Sequence, residues 1–293
     1  MRVAYFPGCS LQGSAREFDE SLRAVARRIG LDLIEVPDWN CCGASSGHAV
    51  DHLLSVALPA RILGLAEKTG AQDLLVPCSA CYNRLVTARQ ELREDQTLKA
   101  EVCELIEMEL RLTVRVRNIV EVLKEAMEGK DFPAIETPFV HKVACYYGCL
   151  LVRPHKIVKF DRPEDPQVMD ELMQAIGAEP VDWAFKVECC GAGMTLARTE
   201  LVAKLCGRIL DDAEARGAEV MIAACPMCHA NLDMRRPDIE ALAGRKFAIP
   251  IMYITQALGV ALGIDASRLG LDRHMVPVVF KRAEQPGADE PRA

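Results

Sequence analysis

Two pairs of adjacent cysteines are the residues of this sequence that most directly suggest chemistry. The stretches "WNCCGA" (39–44) and "ECCGAG" (188–193) each place two cysteines before a glycine. A C-x-x-C pair follows each of them, "CSAC" (78–81) after 35 intervening residues and "CPMC" (225–228) after 34. Thiolates are nucleophiles and soft metal ligands, so such clusters indicate metal or redox chemistry rather than a core of isolated buried thiols.

The same order of cysteines occurs twice in the chain. A single cysteine precedes each pair, Cys9 in "FPGC" by 31 residues and Cys149 in "YYGC" by 39. The stretch "TGAQDLLVPCSAC" (69–81) aligns without a gap on "RGAEVMIAACPMC" (216–228). Such self-similarity predicts a duplicated domain, with five motif cysteines in each copy.

Five cysteines in each half favour an iron–sulfur assembly over zinc. The chain has 13 cysteines, and an odd number without a signal peptide argues against a disulfide framework. A structural zinc ion takes four ligands, commonly as two spaced pairs. Adjacent side chains diverge, so two neighbouring cysteines more easily reach two metal atoms, which an iron–sulfur cluster provides. Zinc in either half remains the alternative.

The elements that position these cysteines alternate between strand and helix. Short apolar runs predict strands at 3–6, 32–36, 73–76, 141–145, 179–182 and 219–224, and helical spacing follows at 15–30, 48–69, 166–176 and 195–216. Strand-helix units, "TVRVRNIVEVLKEAM" (113–127) and "IPIMYITQALGVALG" (249–263), follow in both halves. The pattern predicts an α/β protein of two pseudo-symmetric domains, each a mostly parallel sheet with flanking helices. The motif cysteines follow strands or open helices, so they should collect at the carboxyl ends of the strands.

The proline-containing stretch "DFPAIETP" divides the chain. We expect a first domain at 1–130, a linker at 131–140 and a second domain at 141–293. The net charge of −7 and the absence of a long basic run argue against a nucleic-acid partner. The most apolar segment (249–264) is too short to span a bilayer, and no signal peptide is recognisable, so we expect a cytoplasmic protein without a membrane span.

The complete motif resembles the Cys-Cys-Gly (CCG) domain family, and most closely the B subunit of heterodisulfide reductase. The likeness covers nearly the whole chain and includes the tail "YITQALGVALGIDASRLGLDRH" (253–274). It implies two noncubane 4Fe-4S clusters and an enzyme that cleaves or forms a disulfide lying between them. The implied ligands are Cys9, Cys41, Cys42, Cys78 and Cys81 for one cluster, and Cys149, Cys189, Cys190, Cys225 and Cys228 for the other.

Several residues beside the ligands have open roles. Gly8, Gly43, Gly148 and Gly191 adjoin motif cysteines and let the backbone approach a cluster closely. His229 follows the last ligand and is a candidate for a supporting contact, for an exposed side chain, or for donating a proton to a leaving thiolate. Cys145 competes with Cys149 as a ligand, but the match of "FPGC" to "YYGC" favours Cys149. Cys103 and Cys206 lie in apolar helical patterns and are interpreted as core residues.

The resemblance also bears on partners and substrate. The chain has no G-x-G-x-x-G and no ferredoxin-type cysteine run, so electrons must come from a partner. A ferredoxin-like iron–sulfur subunit is the simplest candidate, and a flavin-containing subunit is a further one. The methanogen pattern has a histidine where Leu150 stands, which favours a bacterial relative in sulfur metabolism with another small-molecule or carrier-bound disulfide. The competing hypothesis is an electron-transfer subunit without its own disulfide chemistry.

Overall fold

The computed structural model describes residues 1–45 and 47–280 and contains two four-stranded sheets. The first has the order β2-β1-β3-β4, with β1 at Arg2–Tyr5, β2 at Asp32–Glu35, β3 at Asp73–Val76 and β4 at Arg115–Asn118. The second has the order β6-β5-β7-β8, with β5 at Lys142–Tyr146, β6 at Glu179–Pro180, β7 at Val220–Ala223 and β8 at Ile251–Tyr253. Every strand pair is parallel, which confirms the predicted fold class.

Helices flank both sheets. The first half contains α1 (Gly8–Gln12), α2 (Arg16–Arg28), α3 (Gly47–Val50), α4 (His52–Lys68), α5 (Ser79–Glu94), α6 (Gln96–Leu105) and α7 (Ile119–Glu128). The second half contains α8 (Val168–Ala175), α9 (Thr199–Ala215), α10 (Pro226–Leu232), α11 (Arg236–Ala243) and α12 (Ile254–Ala261). The predicted helices lie within a few residues of these bounds, whereas α1, α6, α10 and α11 had no predicted counterpart.

The central strands explain why the sequence forms parallel sheets. All four residues of β3, "DLLV", and of β7, "VMIA", are buried, as expected for strands covered on both faces. Asp73 is the polar exception, and it forms a salt bridge of 2.7 Å with Arg115, its register partner on β4. The neighbouring strand thereby pairs a carboxylate that would otherwise be costly to bury.

The two halves exchange their last helices. Helix α12 of the second half packs on α2 of the first, where the hydroxyls of Ser21 and Thr255 lie 2.7 Å apart and the rings of Phe18 and Tyr253 stack at 4.2 Å. Helix α7 of the first half packs on α8 of the second, with Lys124 bonded to a carboxylate on α8 at 2.8 Å. Because each half covers part of the other, the two sheets are fixed relative to each other.

The segment between α7 and β5 contains no helix or strand and includes the proposed linker at 131–140. Glu136 and Thr137 in this segment donate their backbone N–H groups to the carbonyl of Ala261 at the end of α12. The domain boundaries at 130 and 141 stay predictions, because α7 and α12 each pack against a helix of the opposite half.

The apolar segment 249–264 forms β8 and α12 and is almost entirely buried between the halves. Over residues 1–45 and 47–280, none of the helices combines the length and the hydropathy needed to cross a bilayer.

Candidate metal centre

The motif cysteines lie at the carboxyl edges of the two sheets. Cys9 follows β1 within α1, while Cys78 follows β3 and caps α5, whose first turn holds Cys81. In the second half, Cys225 follows β7 and caps α10 in the same way. The loop after β2 carries Cys41 and Cys42, and the loop after β6 carries Cys189 and Cys190. Cys149 lies three residues after the end of β5. The fold thus gathers residues from distant parts of each half at one edge, as the alternating pattern predicted.

The first cysteine group forms a compact set of thiols. The sulfur atoms of Cys42 and Cys81 lie 3.1 Å apart, and the amide of Gly43 donates to Cys41 Sγ at 3.4 Å. Hydrogen bonds from Cys41 and then from Cys81 lower the pKa of Cys42 to about 4. Cys9 is close enough that its charge contributes to raising the pKa of Cys41. These contacts therefore favour the thiolate form of Cys42.

The second group repeats this arrangement. The sulfur atoms of Cys190 and Cys228 lie 3.6 Å apart, and the amide of Gly191 donates to Cys189 Sγ at 3.3 Å. A hydrogen bond from Cys149 lowers the pKa of Cys189 to about 6. Backbone donors at the turn thus favour a thiolate in both halves.

The two groups come together at Cys78 and Cys225, whose thiols are close enough that each shifts the pKa of the other. Hydrogen bonds from Cys228 and from Cys78 hold the pKa of Cys225 well below its usual range. The amides of Met227 and Cys228, at the start of α10, add to this effect. The structure therefore brings the ten motif cysteines into one continuous region, and none of them is in a disulfide.

The three remaining cysteines have different positions. Cys145 lies within β5, fully buried, and its burial raises the pKa of its thiol. Cys103 is on α6. Cys206, also fully buried, lies beside the second group and donates its S–H to the carbonyl of Cys190 at 3.4 Å. Cys206 is thus a core residue, as predicted, that also fixes the second Cys-Cys turn.

Two glycines keep space beside the sulfur atoms. Gly8 and Gly148 both have a left-handed backbone, with φ of +69° and +68°. A Cβ atom would lie 3.3 Å from Cys81 Sγ at the first position and 3.0 Å from Cys228 Sγ at the second. Any side chain at these positions would push on a motif cysteine and strain the backbone.

His229 is buried in a network of rings, so the expectation of an exposed side chain was wrong. Its Nε2 lies 3.2 Å from the carbonyl of Ile251 and 2.9 Å from His274 Nδ1, and its ring stacks on Tyr253 at 4.2 Å. Desolvation holds the pKa of His229 well below its usual range. A carbonyl only accepts, so Nε2 carries the proton and donates. His229 therefore joins α10 to β8 and to the segment at His274.

Asp233 lies near these two histidines, and the three side chains together have the composition of a metal site. The proton on His229 Nε2 argues against a metal there, since the Ile251 carbonyl needs a donor at that position. His274 donates from Nε2 to Gln256 Oε1 at 3.0 Å, which completes a hydrogen-bonded chain without a metal. No local sequence motif indicated that His274 contacts His229, because the two residues lie 45 positions apart.

A buried ion pair supports the turn that carries Cys149. The carbonyl of Lys186 accepts from the amides of Tyr147 and Gly148 at 2.9 and 3.1 Å. The Lys186 ammonium bonds Asp170 at 2.9 Å, and the Tyr147 hydroxyl donates to the same carboxylate at 2.7 Å. No sequence pattern indicated this support, because its members lie far apart in the chain.

Comparison with known proteins agrees with the geometry. The CCG family model, described as "Cysteine-rich domain", matches residues 3–86 and 143–233. The "8-methylmenaquinol:fumarate reductase membrane anchor subunit" of Wolinella succinogenes is 31% identical, with 93% of this chain and 96% of the relative covered. The B subunit of the ferredoxin:CoB-CoM heterodisulfide reductase of Methanosarcina mazei is also 31% identical, with 94% of each covered.

A solved structure shares the fold. A hypothetical protein from Helicobacter pylori superposes with a TM-score of 0.77 at 15% identity, over 95% of this chain. The chain spans about half the length of that protein, 52%. The duplicated cysteine motif, its place at two sheet edges and these matches confirm the resemblance predicted from the sequence: the chain belongs to the CCG cysteine-rich domain family and is similar to the B subunit of heterodisulfide reductase.

Proposed function

We propose that this chain is the iron–sulfur subunit of a thiol–disulfide oxidoreductase, with the disulfide acted on between its two cysteine groups. The observation that carries the proposal is the proximity of Cys78 and Cys225, whose thiols shift each other's pKa and which belong to two equivalent five-cysteine groups from different halves. A disulfide has two equivalent sulfur atoms about 2.05 Å apart. Two matched groups in contact suit a substrate with two such ends.

The proposed cofactors are two noncubane 4Fe-4S clusters, one on each set of five cysteines. The donor set fits such a group, since thiolates are the usual ligands and backbone amides already point at Cys41 and Cys189. The buried hydroxyl of Ser79, next to Cys78, has no hydrogen-bond partner among the described residues and is available to a cluster sulfur. When bound, the clusters would bind sulfur and accept electrons one at a time.

The proposed reaction takes two electrons and two protons for each disulfide cleaved, and gives two thiols. The electrons would come from a partner, for which we propose a ferredoxin-like iron–sulfur subunit, with a flavin-containing subunit behind it. The relative from Methanosarcina mazei is named as one subunit of a heterodisulfide reductase, which supports membership in a larger complex. The chain itself holds the two groups in a fixed relation. The lack of a side chain at Gly8 and Gly148 also leaves space beside the neighbouring sulfur atoms.

A second candidate function is electron transfer without disulfide chemistry. It is favoured by the relative from Wolinella succinogenes, whose name describes a quinol:fumarate reductase and no disulfide. In that case the contact at Cys78 and Cys225 would serve as a short path between two clusters.

Metal analysis and turnover separate these functions. Protein purified without oxygen should contain about eight irons and matching sulfide per chain. Reduced viologen should then be oxidised when disulfides are added, and the Cys103→Ala variant, altered on α6, should retain both properties. One zinc per half with little iron would refute the iron–sulfur proposal. Full iron content with no turnover on a broad disulfide panel would favour electron transfer alone.

A further inference from the structure

The first half contains a helix that the second half lacks. In the first half, 33 residues separate Cys81 from Arg115 at the start of β4, and they include α6, which packs on both α4 and α5. In the second half, only 22 residues separate Cys228 from Ile251 at the start of β8. Residues 244–250, between α11 and β8, contain no helix, so α6 has no counterpart there.

The helices on which α6 packs do have counterparts in the second half. The gapless alignment of the C-x-x-C pairs extends upstream and places α4 on α9, both of which are 17 residues long. It also places the last turns of α5 on α11, which packs on α9 as α5 packs on α4. The groove between α9 and α11 therefore corresponds to the surface that α6 covers in the first half.

Helix α6 shows what kind of segment covers such a surface. Its apolar positions recur every four residues and continue just past its end, as Leu98, Val102 and Ile106. Val102 is fully buried, and the other two pack against the core. The chain then reaches Leu110, which lies 2.9 Å from the Cβ position of Gly64 on α4. The cover is thus a short amphipathic helix with one apolar stripe.

The corresponding groove in the second half is open. It has a volume of about 550 Å³, and the fully buried Ile239 is part of its lining. Leu201 on α9 and Leu242 on α11 line the two sides, and they are 37% and 50% exposed. Large apolar side chains that are exposed around one groove are typical of an interaction site.

The lining of the groove carries more positive than negative charge. Arg198 and Lys204 form no ion pair within the part of the chain that the structure describes, and both are exposed. Lys204 occupies the position of Ala57, which is buried on α4. Of the two carboxylates in the lining, Asp211 is already bonded to Arg245 at 3.1 Å, which leaves Glu200. A segment with acidic flanks would therefore complement the groove.

We propose that the groove between α9 and α11 binds a short, acidic amphipathic helix of a partner protein, in the position that α6 occupies in the first half. A helix that lays its apolar stripe into a groove is a common mode of recognition. Residues 281–293 lie outside the described residues and contain no Leu, Ile, Val, Met or Phe, so they cannot supply that stripe. No motif cysteine lines the groove, so the inference goes beyond the proposed function and does not require a cluster.

A peptide taken from the first half is a defined probe for the groove. Residues 94–107 with Cys103→Ser include the apolar stripe of α6, five carboxylates and one lysine. The labelled peptide should bind the full chain saturably in fluorescence anisotropy, and a scrambled peptide should not. Leu242→Asp should weaken binding about tenfold or more, because it places a charge in the apolar contact. Leu105→Asp is the matched control, since this leucine is 56% exposed on α6, and it should bind as the wild type does.

Two further measurements test the place and the charge of the contact. Hydrogen exchange should slow over 199–211 and 236–243 when the peptide is bound. Lys204→Glu should weaken binding, and it should also reduce the dependence of binding on salt.

Three results would overturn the inference. They are no saturable binding to the wild type, equal affinity of Leu242→Asp, and a dimer in sedimentation that Leu242→Asp abolishes, which would make a second copy of this chain the ligand of the groove. Iron content and disulfide turnover enter none of these results, so the proposed function is tested separately.

Discussion

Cys78 and Cys225 belong to different halves of the chain, yet their thiols are close enough that each shifts the pKa of the other. Each caps the helix that follows the central strand of its sheet, α5 after β3 and α10 after β7. Two carboxyl edges that meet in this way need a rigid relation between the sheets. The exchanged helices α7 and α12 provide it, since each packs on a helix of the opposite half.

The structure sharpens the choice between Cys145 and Cys149 as a ligand. Cys149→Ala should remove the metal of the second group and about half of the total iron, because its thiol bonds Cys189. Cys145→Ala should keep full iron content and cost about 1 kcal/mol of unfolding free energy, since its side chain fills space in β5. Iron analysis and urea unfolding measure both. Loss of iron in Cys145→Ala alone would show that the repeat is misaligned by four residues.

A glycine substitution separates backbone strain from crowding of the cysteines. Gly148→Ala should cost about 1–2 kcal/mol for its left-handed backbone and should also lower the iron content, because the added Cβ lies 3.0 Å from Cys228 Sγ. Gly217→Ala is the matched control: its φ is +75°, and no atom lies within 4 Å of an added Cβ. It should lose similar stability in urea and retain its iron. Equal iron loss in both variants would contradict the steric argument.

How far the sequence predicts this protein depends on the range of the interactions. The strands, the parallel sheets and the gathering of motif cysteines such as Cys78 and Cys225 followed from local patterns, because alternating strands and helices leave few topologies. Helices α1 and α10 were missed because they are short, and α6 and α11 because each follows another helix closely and lacks a strand before it. Local patterns also describe each half separately and contain no sign that α7 and α12 cross to the other half.

The supports of the site were harder to predict than its cysteines. His229 was singled out for its place after Cys228, but its burial depends on Tyr253 and His274, which come from separate elements. The backbone carbonyl of Lys186 accepts a hydrogen bond from the amide of Gly148, and the residue type at 186 gives no sign of such a backbone contact. Such contacts depend on tertiary packing, and no residue spacing in the sequence indicates them.

The buried histidine chain predicts a loss of stability in mild acid. Desolvation lowers the pKa of His274 to about 4, below the value of about 6.5 in an unfolded chain. The unfolded state therefore binds more protons between these values, so the stability present above pH 6.5 falls as the pH is lowered toward 4. His274 alone should account for about 3 kcal/mol over this range, at about 1.4 kcal/mol per pH unit.

Urea unfolding between pH 7.5 and 5 measures this effect. The His274→Gln variant should show a flatter dependence on pH than the wild type, because its side chain does not titrate. Parallel curves for the wild type and His274→Gln would show that the ring is accessible to water in the folded state.

Loss of either cysteine group should abolish disulfide turnover rather than halve it. Cleavage needs two electrons, while each iron–sulfur site passes them singly, so one site alone would leave an unpaired electron on sulfur. Under the proposed function both groups would act on one substrate, since Cys78 and Cys225 are close enough that each shifts the pKa of the other. Cys81→Ser and Cys228→Ser each remove a buried sulfur 3.1 or 3.6 Å from a neighbouring motif cysteine in its own half. Each variant should lose most viologen-dependent activity while the spectrum of the opposite cluster persists. If one variant kept half of the wild-type rate, the groups would act independently, and electron transfer would become the better description.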